Sequence, residues 1–390
     1  MKYPFQPELL DALPEELAEL FRGLEDALLV DICSRLKAAD GFNEATVQDI
    51  KALRSHGISI DEIKKEINKT TGISEKKLDE LLSDVVKRNQ QYYTELIDLA
   101  GVTKPDVLVD MTTIDAIKRQ TLDEMRNITR TMAFVLDGGR TVLEPHKAFT
   151  WACDSAMLKV QSGAISYNQA IEGAVKQLAD SGIRTVDYES GVRNQVDVAV
   201  RRAVMTGVSQ VCAKYTDQSA DYLKTPYYEV SAHAGARDKP GDSPWSSHKE
   251  WQGKVYSTRT NDIYPNIYSI CGLGEVDGLE GINCRHRRYP WVEGVSERTY
   301  TDEQIEHIDD GLGCTFDGKT YTAYEATQEQ RRVERTIRKL KREKAAYKAA
   351  GLHEEERAVN IRLRRLNAKY KAFSAAAGLP EQRERMKVLY

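Results

Sequence analysis

The sequence predicts a mainly helical α+β protein, and three observations carry that reading. Through most of the first ~220 residues, apolar side chains recur at three- and four-residue spacing, the period of one helix face. Near Thr225 the composition changes. Tyr227–Ala232 is aromatic and β-branched, and Pro and Gly multiply from Gly235 to Pro244, the content of a strand followed by a surface loop. From Gln328 to Ala372 the chain returns to amphipathic helix, with fifteen Lys and Arg against six Glu, a local net charge of +9.

The 390 residues suffice for two or three cores. The formal net charge of −4 is mild and argues against a wholesale binder of polyanions. Cysteines stand at 33, 153, 212, 271, 284 and 314 with no CxxC pair, which reads as reduced thiols in a cytosolic setting. The opening MKYPFQPELLDALPEEL lacks the apolar core of a signal peptide. No run approaches the ~18 apolar residues of a membrane span.

Leu17, Leu20, Leu24, Leu28 and Ile32 predict a first long helix after Pro14, ending at Gly41. Short helices come next. One begins at an Asn43 N-cap and carries Val47, Ile50 and Leu53 up to His56-Gly57. A second carries Ile60, Ile63 and Ile67 up to Gly72, and a third starts at a Ser74 cap with Leu78, Leu81, Leu82, Val85 and Val86. A second helical block has the stripe Ile117, Leu122, Met125 and Ile128, then a break at Gly138-Gly139. Beyond it lie two helices split at Ser162-Gly163, the second capped by Ser166. A further stripe is Val192, Val196, Val200 and Val204, with Arg193, Arg201 and Arg202 facing elsewhere. Arg201-Arg202 reads either as a solvated face or as a contact to a partner or phosphate.

Strands are expected at Tyr227–Ala232, Lys254–Ser257 and Asn283–Tyr289. GLGEVDG at 272–278 reads as a turn. Thr301 with Gln304 is a capping-box pattern, and Phe316–Tyr321 a hairpin around Asp317-Gly318. Val333, Ile337, Leu340 and Tyr347 mark one C-terminal helix. A break at Gly351 separates it from a heptad-like seam of Val359, Leu363, Leu366, Tyr370 and Phe373. The expected organisation is a helical bundle over 1–105, a second helical block over 106–224, a small α+β domain over 225–298, and a hairpin with basic helices over 299–390.

Chemistry concentrates in 227–291, which holds three of the four tryptophans, three of the seven histidines and two of the six cysteines. Cys284 and His286, two apart, leave the same face of an extended chain and make half of a tetrahedral zinc site. His233 and His248 are the candidates to complete it, with Cys271 as a substitute. The alternative is a hydrogen-bonded, aromatic-packed core. Trp245, His248 and Trp251 recur at three-residue spacing, a packing pattern. Arg237, Arg285, Arg287 and Arg288 either bind phosphate or carboxylate in bidentate fashion or brace the loop. As a nucleophile and base, Cys284 with His286 or His233 is the pair the sequence offers. No GxSxG, HExxH, P-loop or dinucleotide fingerprint is present.

The run HAGARD…HKEWQGKVYS…GINCRHRRYPW resembles the phage minor capsid protein 2 family, itself related in layout to the head-morphogenesis domain of the phage Mu F type. His233, Gly235, Ala236, Arg237, His248, Trp251, Gln252, Gly253, Asn283, Cys284, Arg285 and His286 carry the match. YESGVRNQVDVAVRRAVMTGVSQ at 188–210 and the run from Gln330 to Arg342 support it. The resemblance implies a minor structural protein of a tailed-phage head, made in the host cytoplasm and carried in the virion. It would be portal-associated and help head assembly and DNA packaging or delivery. In that setting the helical blocks would contact portal or capsid, and the basic C-terminal helices would touch DNA without reading sequence. The alternative is a metal-dependent or Cys/His hydrolase carried in the virion.

Overall fold

A computed structural model describes residues 3–37, 60–162, 165–187, 191–239, 241, 243–281 and 284–388. The expected features at Gly41, Asn43, Val47, Ile50, Leu53 and His56-Gly57, and the candidate Asn283, lie outside the described residues.

The fold is α+β and mainly α. Helix α1 (Pro7–Ala12) leads into α2 (Glu15–Lys37), whose Leu17, Leu24, Leu28 and Ile32 are all buried as their spacing predicted. The two short helices expected around Gly72 and Ser74 are instead one 40-residue helix, α3 (Ile60–Leu99). Ser74 does not cap; its hydroxyl donates back to the Thr71 carbonyl at 2.8 Å, an arrangement a helix interior tolerates. A glycine inside a helix costs only about 1 kcal/mol, too little to end one that packs along its length.

Helix α4 (Met111–Arg130) starts at Asp110, whose carboxylate accepts from Thr113 N. Beyond α4 the expectation of an almost wholly helical first half is corrected. Met132–Leu136 (β1) and Thr141–Leu143 (β2) form a hairpin, and with Ile183–Val186 (β3) and Arg193–Gln195 (β4) they make an antiparallel sheet of order β2-β1-β3-β4. Gly138-Gly139 is the turn of that hairpin, with φ of 65° and 99°, and not merely a helix break. Val192 therefore precedes a strand, and the valine stripe begins only at Val196.

Between β2 and β3 lie α5 (Pro145–Gln161) and α6 (Tyr167–Ser181). Ser166 caps α6 in a full capping box with Gln169. The central helix is α7 (Val196–Leu223). It buries Val200, Val204, Val208, Val211 and Tyr215, but also Ala199, Ala203 and Gly207 on neighbouring faces, as a helix surrounded by others must. It packs against α2, α3 and α4. At Gly207 an added Cβ would stand 2.4 Å from Thr121 Oγ1 of α4, so the missing side chain sets that close approach.

The second sheet is Tyr227–Val230 (β5) flanked by Val255–Ser257 (β6) and Arg288–Trp291 (β7), all antiparallel. Helices α8 (His248–Trp251) and α9 (Ile267–Cys271) lie in its connections. The strand expected over 283–289 begins only at Arg288; residues 284–287 are irregular. Helix α10 (Asp302–Glu306) carries the expected Thr301–Gln304 capping box. Cys314–Phe316 (β8) and Lys319–Tyr321 (β9) form the Asp-Gly hairpin. Helices α11 (Ala323–Ala349) and α12 (His353–Ala376) fold back on each other across Gly351, at φ 74°.

One large apolar cluster runs from Tyr3 and Phe5 through α2, α3, α4 and α7 to Val333, Ile337 and Leu340 of α11 and Met386. Two polar features lock the same contacts. Tyr3 stacks on Tyr289 with ring centroids 3.8 Å apart, and its hydroxyl donates to Glu229, which also accepts from Thr299 N and Oγ1 at 2.9 Å each. Glu25 of α2, almost fully buried, accepts from Arg338 and Arg342 of α11 and from Ile183 N, each at 2.8 Å. Two arginines of α11, Arg338 and Arg342, are thus turned inward, while Arg332, Arg335 and Lys348 stay exposed. Of the pair Arg201-Arg202, Arg202 is exposed, while Arg201, partly exposed, pairs with Asp11, which also meets Arg331 and Arg385.

Where α11 meets α6, burial, and next the hydrogen bond and charge of Asp180, push Glu343 up to about 7. Its folded value therefore lies above the ordinary ~4.3 of a free glutamate, and the protonated form is the stabilising one. That contribution is fully present below the unfolded value and is lost as pH rises through about 7. Replacing Glu343 by Gln should flatten the fall in melting temperature between about pH 5 and pH 8. Scans across that range check it, and equal slopes in both proteins would contradict it.

Candidate functional site

The site is assembled by the second sheet and its connections. Strand β5 runs out at Val230 and delivers His233. The glycine at 235 has φ 67°, and its N–H donates to Asp309 at 2.7 Å. Asp309 also pairs with Lys249, so the loop is tied to the start of α8. At Gly253, φ is 70° and an added Cβ would meet Ile305 Cδ1 at 2.2 Å. This turn sends the chain from α8 into β6, with Gly253 N bonded to the Val230 carbonyl. The irregular segment 284–287 crosses beneath, held by reciprocal bonds between Ser231 and Arg287.

These elements bring His233, His248, Trp251, Gln252, Cys284 and His286 into one buried knot. His233 stacks on His286, ring centroids 4.5 Å apart. Trp251 lies 4.5 Å from the His248 ring and 4.9 Å from that of His286, with its indole N–H on the Trp245 carbonyl at 2.9 Å. Trp245 reaches Asp277 Oδ1 at 2.8 Å and covers Gly272, where a Cβ would strike the ring at 2.4 Å.

The hydrogen bonds assign the imidazole tautomers. His248 Nε2 lies 2.8 Å from the Asp277 carbonyl, which can only accept, so Nε2 carries the proton and Nδ1 the lone pair. The N–H of His233 fixes Oε1 of Gln252 at 3.0 Å. That same oxygen is 3.0 Å from His286 Nε2, so this nitrogen too is the donor. Both Nδ1 lone pairs then converge on Cys284 Sγ, at 3.8 Å from His248 and 3.6 Å from His286. The three ligand atoms all lie within 4.8 Å of one another. His233 is outside this group; its Nδ1 is engaged by the Ala234 carbonyl at 2.9 Å. Cys271 is also outside it, buried against Tyr256.

Burial drives His233 down to about 3, with Arg285 adding to the shift, and His248 down to about 4. His286 is lowered well below the usual range, again by burial first. Burial also raises the Cys284 thiol. Burial thus favours the neutral form of each of these side chains.

The four arginines singled out in the sequence divide. Arg287 and Arg288 brace: Arg287 bonds Ser209 of α7, and Arg288 pairs with Asp217 at 2.7 Å and Glu280 at 3.4 Å. Arg237 also braces, donating to the Asp277 carbonyl at 3.3 Å, and both Arg237 and Arg285 face a cavity of about 430 Å³. His233, His248 and His286 lie on its wall, and α2, α7 and α11 close it with Arg22, Arg201, Arg331 and Arg338. A knot that the sequence presents as solid packing thus borders an arginine-lined hollow. Sequence reasoning missed Asp11 as the partner of Arg201 and Glu25 as the partner of Arg338, because they lie 190 and 313 residues away along the chain.

The family model described as phage minor capsid protein 2 matches residues 5–375. The chain belongs to the phage minor capsid protein 2 family. It is accordingly a phage structural protein and a component of the virion. It is 26% identical over 317 residues to a protein named "Structural protein" of Lactococcus phage LL-H, covering 77% of this chain and 78% of that one. It is 40% identical over 95 residues to a protein of the same name from Lactococcus phage mv4, covering 24% of this chain and 65% of that one. No solved structure matches. Among the described residues, no helix of this phage structural protein is long and apolar enough to cross a membrane.

Proposed function

We propose that this minor capsid protein sits beside the portal of a tailed-phage head, helps head assembly, and touches packaged or exiting DNA through the outer face of α12. The observation that carries the reading is the division of the C-terminal basic charge. The arginines of α11 that face inward, Arg338 and Arg342, are consumed by Glu25. On α12, Arg357, Arg364 and Lys371 recur every seven residues beside Arg365. All four are exposed, with no hydrogen bond or ion pair among the described residues. Such a stripe gains affinity for a polyanion by releasing counterions and reads no sequence. Family membership supports the portal half of the reading. So does the α3–α4 connection, where Leu99, Val107 and Met111 are each more than half exposed, as apolar residues awaiting a protein partner are.

Replacing Arg357, Arg364 and Lys371 by Ala should weaken DNA binding and reduce the slope of log K against log salt by about 2.7, at about 0.9 per lost phosphate contact. An unchanged slope would remove α12 from the interface. For the portal half, cross-linking of intact particles should join this protein to portal subunits. Cross-links confined to the shell protein would overturn that placement.

A further inference from the structure

We propose that His248, Cys284 and His286 bind a zinc ion through His248 Nδ1, Cys284 Sγ and His286 Nδ1, and that this ion pins the irregular 284–287 segment to α8.

Three observations converge. The first is spacing. A tetrahedral zinc with Zn–S about 2.3 Å and Zn–N about 2.0–2.1 Å needs S···N edges of about 3.5–3.6 Å. The sulfur-to-nitrogen separations are 3.6 and 3.8 Å, at or just beyond those edges, and the three ligand atoms lie within 4.8 Å of one another, so coordination draws the two imidazoles together around the sulfur. The second is orientation. Each imidazole gives its remote N–H to an oxygen, Asp277 O for His248 and Gln252 Oε1 for His286. This is the outer-shell pattern that fixes a metal-ligating histidine, and it leaves both lone pairs aimed at one point. The third is Gln252. Fully buried, it keeps its amide nitrogen unpaired in order to present Oε1 to His233 N and His286 Nε2 together. Leaving that nitrogen unpaired costs about 1–3 kcal/mol, and holding one imidazole in a given tautomer accounts for it.

One thiolate and two imidazoles suit zinc better than calcium or magnesium, which take oxygen ligands. On binding, the Cys284 thiol gives its proton to solvent and the sulfur donates a lone pair to the metal. Three protein ligands leave a fourth position for water. His233, stacked on His286, is a positioning residue in this scheme and not a ligand.

The test uses full-length protein. Purified from zinc-containing medium, it should carry about one zinc per chain by elemental analysis, as a three-ligand site of this kind holds one ion. Stripped of metal and titrated with cobalt(II), it should develop tetrahedral d–d bands and a sulfur-to-cobalt charge-transfer band, both displaced by zinc. Cys284→Ala should lose the charge-transfer band, and Cys314→Ala and Cys271→Ala should keep it. The proposal fails if wild-type protein with an intact unfolding transition binds neither ion, or if the band survives Cys284→Ala and disappears in Cys271→Ala. Should Cys284→Ala not fold, the cobalt titration of the wild type still decides, because a spectrum without a sulfur band overturns the ligand set.

Discussion

Glu25→Gln is expected to lower the unfolding free energy by about 3–5 kcal/mol, the range for removing one partner of a buried charge pair. The carboxylate accepts from Arg338, Arg342 and Ile183 N, and both guanidinium side chains are more than 90% buried. Gln keeps the shape but cancels the charge: its single Oε1 can accept from one guanidinium and its Nε2 opposes the other, leaving Arg342 the Ala179 carbonyl and Arg338 the Lys387 carbonyl and a longer contact to Asp26 as further partners. The same geometry gives a pH dependence. Burial alone would raise Glu25, but Arg342, Arg338 and the Ile183 N–H outweigh it and hold the carboxyl below its ordinary value. A depressed folded value means that the contribution is present above the unfolded value and is lost as pH falls through the folded one. Wild-type protein should lose stability in acid by a component that Glu25→Gln lacks. Urea unfolding at neutral and acid pH measures both effects. Replacing all three charges together, Glu25→Leu with Arg338→Met and Arg342→Met, should recover much of the loss, since apolar substitutes of similar volume often match a buried ion cluster.

Trp251→Ala should cost a similar ~3–5 kcal/mol, the usual range for deleting a buried aromatic. The indole is 2% exposed and touches the His248 and His286 rings. Its removal also strands the Trp245 carbonyl that now accepts its N–H. Trp245→Ala should cost clearly less, because that side chain is only half-buried and its cover over Gly272 is one-sided. Urea denaturation of the two variants beside wild type gives the comparison. Equal losses would mean that the knot is not centred on Trp251.

How much of this was legible in the sequence depended on the range of the interaction. Local signals read correctly. The Ser166 and Thr301 capping boxes, the Asp317-Gly318 hairpin, the Gly351 break and the seam from Val359 to Phe373 are each settled by residues within about one turn of one another. The clustering of His233, His248, Cys284 and His286 was also legible, because three short segments of unusual composition sit close together. The β1–β4 sheet was not. Its strands are three to five residues long, and Gly138-Gly139 suits a helix stop as well as a hairpin turn. Helix α3 reads as two helices because Gly72 and Ser74 are local stop signals that packing overrides. Least legible were the counterions. Nothing near Glu25 or Asp11 in the chain announces Arg342 or Arg385, so the basic C-terminal stretch reads as a solvated face when much of α11 is interior. The imidazole tautomers were equally hidden, since Gln252 Oε1 acquires its meaning only from the His233 N–H opposite.

The N-terminal helices and the C-terminal hairpin form one cooperative body, joined by the Glu25 cluster and by the apolar cluster from Tyr3 to Met386. Hydrogen exchange on the full-length protein tests this most directly. If the account holds, the most protected amides of α2 and α11 open with the same free energy, and both fall together in Glu25→Gln. Protection in α2 that stays at its wild-type level while α11 opens in that variant would contradict it.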